Sequence, residues 1–100
     1  MKRFRFHPAA RTETRAAASW YREQSQEAAR SFTGAVMHGV QSIRERPEAW
    51  AIWRRTAVRR RVLRQFPYSL FFIIENDTVV IVAVAHHKRR PGYWLPRLDR

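Results

Sequence analysis

Residues 68–86, YSLFFIIENDTVVIVAVAH, decide the fold. Two runs rich in β-branched and aromatic residues, 68–75 and 78–86, flank Asn76-Asp77, and both of these residues tolerate positive φ. The spacing predicts a hairpin closed by a two-residue turn. The second run is apolar on both faces, so it belongs at the centre of a sheet or under cover on both sides.

Upstream, RRRVLRQF (59–66) supplies a third strand, preceded by a loop around PEAWAIW (47–53). Before that loop the period is helical. Ala28, Ala29, Phe32, Ala35, Val36, Val40 and Ile43 form a broad apolar stripe at steps of three and four. Glu27 near its start and Arg44 and Arg46 near its end suit the helix dipole, and Pro47 stops it. A tight joint at Ser25-Gln26 separates this helix from an Ala-rich one running from Pro8 to about Gln24, with Ala10, Thr14, Ala17 and Tyr21 on one face. So short a joint predicts an antiparallel helical hairpin. At the start, KRFRFH (2–7) alternates, with Phe4 and Phe6 to one side and Arg3 and Arg5 to the other, which predicts a half-buried strand. The expected architecture is a single α+β domain over residues 1–100, β-α-α-β-β-β. An N-terminal strand and an antiparallel helical hairpin pack with a small, mainly antiparallel sheet.

Composition narrows the function. At 45% hydrophobic and 13% aromatic, a chain of 100 residues can fill one thin core and is far from a disordered composition. It has no cysteine, hence no disulfide and no thiolate metal site. MKRFRFHPAARTE lacks the apolar core of a signal peptide, and SLFFII and VVIVAVA fall short of the roughly 20 residues of a spanning helix. A soluble, cytoplasmic protein with no membrane partner is expected. The net charge of +12, carried by 18 Arg and two Lys, predicts a polyanionic partner: nucleic acid, an RNA machine or an acidic protein. The preference for Arg fits bidentate recognition of phosphate or carboxylate, and equally fits the codon usage of a GC-rich genome.

Arg54, Arg55, Arg59, Arg60, Arg61 and Arg64 crowd one segment, and no acidic residue occurs from Ala51 to Ile74. If the sheet forms as drawn, this run lies near Lys88, Arg89 and Arg90. Together they would make an anion-binding surface that gives affinity without sequence information. His86 and His87 are adjacent on a strand and point to opposite faces, and no third ligand lies close in sequence, so neither a metal site nor a cofactor is expected. Either histidine could exchange a proton near neutral pH. Trp94 is expected to plug the core, whereas Tyr93 could pack or stack. There is no Gly-rich phosphate loop, nucleophile elbow or carboxylate pair, so conventional kinase and hydrolase chemistry finds no support.

Taken as a whole, the pattern resembles the RelE/ParE superfamily of toxins from type II toxin–antitoxin systems. The likeness runs from the strand leading into HPAA, through SWYREQ and RSFTGAVMHGVQSIRERPEAW, to FPYSLFF followed by VAVAHHKRRPGYW, and is specific for the ParE-like, plasmid-stabilisation branch. The superfamily implies one of two activities. RelE-like members cut mRNA on the ribosome without a metal, using basic residues and a tyrosine; ParE-like members block DNA gyrase. Tyr93 falls where the ribonucleases carry their tyrosine, and Arg60 matches a basic position on the second strand. Ser69 stands where they have a catalytic arginine, Val62 replaces a lysine, and His87 occupies the place of another arginine. Each lost donor to a pentavalent phosphate costs a few kcal/mol, or about 10²–10³ in rate. The resemblance therefore implies a gyrase inhibitor neutralised by a cognate acidic antitoxin. Arg59, Arg60, Arg61, Arg64, Lys88, Arg89 and Arg90 would then be the target- or antitoxin-binding surface. The alternative is a ribosome-dependent endoribonuclease acting on mRNA, with Arg60, His87 and Tyr93 catalytic.

Overall fold

The computed structural model describes residues 1–98. Strand β1 (Arg3–Phe6) is followed by helices α1 (Pro8–Gln24) and α2 (Gln26–Glu45). A short 3₁₀ turn (Pro47–Ala49) leads to strands β2 (Arg59–Val62), β3 (Tyr68–Glu75) and β4 (Thr78–His86), and a second 3₁₀ turn spans Leu95–Leu98. The strands form one mixed sheet in the order β1-β4-β3-β2, with β1 parallel to β4 and the other pairs antiparallel. This is the expected α+β architecture.

Local chemistry sets the helix ends. His7 Nδ1 accepts from the Ala9 amide at 3.0 Å and caps α1, with Pro8 at its first position. Ser25 is extended (φ −171°) and serves both helices, closing α1 and accepting from the Ala28 amide through Oγ at 2.9 Å. One residue thus turns the hairpin. The inner faces of the helices, including Ala10, Ala17, Phe32, Val36, Val40 and Ile43, bury against Leu70, Phe72, Val79, Ile81 and Val84.

Asn76 (φ 52°) and Asp77 (φ 59°) both take left-handed backbone, as a two-residue hairpin turn of this hand demands. The third strand is shorter than the run 59–66. After Val62 the Leu63 amide bonds to the Tyr68 carbonyl at 2.9 Å, and Pro67 has no N–H to continue a ladder. Phe66 leaves the sheet and packs edge-on against Tyr21 and Phe32.

Strand β4 has neighbours on both sides, and each of its faces is covered. The helices cover one face. On the other, Val82, Ala83 and Ala85 lie with Val58 and Phe71 beneath Trp94, which is 1% exposed. The Trp94 ring centroid lies 4.6 Å from that of Phe71 and 4.9 Å from that of Trp53. The plug is therefore real. Trp20, by contrast, is exposed and leans edge-on against Tyr21.

A β-bulge interrupts the β3–β4 register: Phe71 opposes Ala83 while Phe72 opposes Ile81, leaving Val82 as the extra residue. Val79 and Ile81 face the helices before it and Val84 does so after it, so the strand's alternation changes phase at Val82. Among the described residues no helix is long and apolar enough to cross a membrane. Because Trp94 is the largest buried side chain on the second face, Trp94→Ala is expected to lower unfolding free energy by about 3–5 kcal/mol in urea denaturation.

Candidate anion-binding site

The phase change brings His87 to the face opposite the helices, beside Ser69 of β3 and Arg60 of β2. Ser69 is only 1% exposed. Its Oγ accepts from Arg60 Nε at 3.1 Å and lies 3.0 Å from His87 Nε2. The hydroxyl keeps a second lone pair and its own proton, so it can meet His87 Nε2 either as donor or as acceptor, according to the imidazole tautomer. Burial first, then the Arg60 and His86 charges, hold His87 below its ordinary value of 6.5, partly opposed by the Tyr68 carbonyl. His86 takes the other face, its ring 4.9 Å from that of Tyr68. The two histidines point apart, as period two requires.

Around this line of three lies a cavity of about 170 Å³, walled by Trp53, Phe71, Tyr93 and Trp94 and rimmed by Arg54, Arg89 and Arg90. None of the residues lining it is acidic. The Pro91-Gly92 break closes its far side: Gly92 has φ +79°, and a Cβ there would sit 3.2 Å from the Trp53 ring and 3.1 Å from Leu95.

The seven basic residues expected to form one surface do not do so. Strand alternation sends Arg60 to the cavity but Arg59 and Arg61 to the helix side, where both do structural work. Arg59 Nη1 donates to the Trp50 carbonyl at 2.7 Å, and Arg61 Nε donates to Ser42 Oγ of α2 at 2.7 Å while its guanidinium covers Trp50. Arg64 lines a separate groove with His38 along α2. Arg89 and Arg90 join Arg60; Lys88 lies outside the lining, its amide bonded to His86 Nδ1.

Tyr93 is the largest surprise. Its hydroxyl donates to Glu13 of α1 at 2.5 Å, and its ring lies beneath Arg89, 3.8 Å from guanidinium carbon to centroid. Glu13 also pairs with Arg97 at 2.8 Å and accepts from the Val84 amide at 2.9 Å, while Arg97 donates to the Val82 carbonyl at 3.0 Å. Strand β1 pairs only as far as Ile81, so beyond it this carboxylate–guanidinium pair satisfies backbone groups of β4 that lack a strand partner. Burial, then the bond to Glu13, drives the Tyr93 phenol well above its ordinary 10.0. Glu13 and Arg97 carry no local signal in the sequence, being 84 positions apart.

A mixed four-stranded sheet in the order β1-β4-β3-β2 thus lies under a helical hairpin, with a basic cavity, free of acidic lining residues, beside Arg60, Ser69 and His87. The profile of the family described as ParE toxin of type II toxin–antitoxin system, parDE, matches residues 4–91, and the chain belongs to that family. A solved structure described as the chromosomal ParDE TA system from P. aeruginosa is similar, with a TM-score of 0.74 and 16% identity. The match covers 86% of this chain and 96% of that one, and at such identity it speaks to the fold alone. No curated protein matches the chain in sequence.

Two measurements probe this electrostatic arrangement. Glu13→Ala orphans the Val84 amide and Arg97, and is expected to cost about 1–3 kcal/mol in denaturant unfolding. It should also lower one phenol transition in an absorbance titration. With Glu13 present, the Tyr93 contribution to stability is complete below pH 10.0 and is lost as pH rises towards the folded value. Arg60→Gln removes a charge beside His87 and is expected to raise its NMR titration midpoint towards 6.5, though burial keeps part of the depression.

Proposed function

We propose that this toxin inhibits growth by poisoning DNA gyrase without itself cutting nucleic acid, and that a cognate acidic antitoxin holds it inactive in the cytoplasm. The observation carrying this reading is the state of Tyr93. Metal-free RNA cleavage needs a group to take the 2′-hydroxyl proton and cations to stabilise the phosphorane. The Tyr93 hydroxyl is already donated to Glu13, and its raised pKa makes it no base at neutral pH. Ser69 provides a hydroxyl where the ribonucleases have a guanidinium, and Val62 stands exposed without charge. What remains is charge suited to docking.

An antitoxin segment rich in Asp and Glu suits the net charge of +12 and the acid-free cavity. Such a segment would fold on binding, with Coulomb attraction speeding its capture. One observation favours the rival reading, a ribosome-dependent endoribonuclease acting on mRNA. A neutral imidazole beside a fixed guanidinium, as in His87 and Arg60, could still accept a proton.

The deciding assay uses purified folded protein with gyrase, plasmid and ATP. Loss of supercoiling with trapped, protein-linked breaks is expected; gyrase left untouched would overturn the proposed target. In cells, His87→Ala is expected to remain toxic on induction. A folded His87→Ala variant without toxicity would transfer the argument to the ribosome.

A further inference from the structure

The cavity over Ser69 is more selective than a basic surface needs to be. Its volume of about 170 Å³ falls below the roughly 300–1,000 Å³ of pockets that take a drug-sized molecule, so a nucleotide does not fit inside. Its lining includes Ser69, a side chain that is 1% exposed. A phosphodiester carries a nucleoside on each side, more than so small a space holds, whereas a carboxylate side chain has one stem and one head. The walls match such a stem, since Trp53, Phe71 and Trp94 present ring surface to the space. The donors match such a head. Arg60 spends its Nε on Ser69, and among the described residues no hydrogen bond occupies its terminal nitrogens, which suits a planar, bidentate partner.

We propose that this cavity is a receptor for a single carboxylate side chain of a bound polypeptide, gripped by Arg60 with the Ser69–His87 pair at its floor. The polypeptide is an acidic segment of the antitoxin, and this assignment of source rests on the reading given above.

The hydrogen-bond line gives the receptor a readable signature. In the free protein Ser69 Oγ and His87 Nε2 share a hydrogen bond of 3.0 Å. A carboxylate arriving beside the imidazole favours its protonated form. Protonated, His87 donates through Nε2, and with Arg60 also donating to Ser69 Oγ the hydroxyl proton is left for the newcomer. Binding therefore takes up a proton at His87. The groups facing this imidazole are Arg60 from β2, Tyr68 from β3, His86 from β4, and Arg54, Arg89 and Arg90 from the flanking loops. Among the described residues all the charges lining the cavity are positive or potentially positive, and no carboxylate lines it. Affinity should rise on acidification, in a window opening below the His87 value of the complex and closing at its lower value in the free protein.

The test is an NMR titration of the full chain with acetate and, separately, with dimethyl phosphate, a monoanion that mimics the nucleic-acid backbone. Acetate is expected to shift the Ser69 amide and the His87 ring saturably, to raise the His87 titration midpoint, and to do so at lower concentration than dimethyl phosphate. Arg60→Lys, which keeps the charge and loses the fork, should weaken acetate binding about tenfold. Equal or tighter binding of dimethyl phosphate would overturn the carboxylate assignment. So would acetate shifts spread over all the arginines with none concentrated at Ser69 and His87, or an unmoved His87 midpoint. These outcomes are independent of gyrase: a titration that fails while supercoiling is still inhibited removes the receptor and leaves the toxin reading intact.

Discussion

Strand β4 has no polar face, and this constraint organises the molecule. A strand apolar on both sides must be covered twice, and the helical hairpin covers only once. The second cover comes from the chain beyond the strand, which turns at Pro91-Gly92 and lays Trp94 over Phe71, Ala83 and Ala85. That return is also what builds the cavity. Packing and site share one device, because the segment that seals the core carries Arg89, Arg90 and Tyr93 to the rim.

The edge of β4 presents a related problem, solved with charge. Strand β1 is four residues long and leaves backbone groups of β4 without a neighbour. Glu13 and Arg97 bond to these groups and to each other. An ion pair hydrogen-bonded to buried backbone differs from an exposed surface pair, which contributes little. Here it stands in for two ladder bonds and holds the last turn against α1. Tyr93 is drawn into the same network, which withdraws its hydroxyl from proton transfer and leaves the cavity with cations and a serine.

The arginines illustrate how charge is apportioned. A net +12 predicts a polyanionic partner, yet individual positions do different work. Arg59 and Arg61 pin the 47–53 segment and α2 from the helix side of the sheet, whereas Arg60, between them, faces the cavity. Alternation along four residues separates scaffold from site.

Much of the fold follows from local chemistry. The hairpin about Asn76-Asp77, the joint at Ser25, the stop at Pro47 and the buried position of β4 each rest on a property of residues close in sequence. The plug at Trp94 follows from the need to cover an apolar strand. The candidate site was legible in part: Arg60, His87, Arg89 and Arg90 stand out in the sequence as basic residues, but their convergence on one cavity, apart from Arg59, Arg61 and Arg64, does not. Two tertiary features decided that. The bulge at Val82 leaves no mark in an unbroken apolar run, yet it determines which histidine faces Ser69. Glu13 reaches Tyr93 across 80 residues of chain, a contact that exists only once α1 is packed on β4. Sequence determined the elements and the sign of the charge, because propensity and net charge are local or additive. Which charges converge, and which hydroxyl is free to react, were decided by tertiary structure, because both depend on the phase of a strand and the docking of a helix.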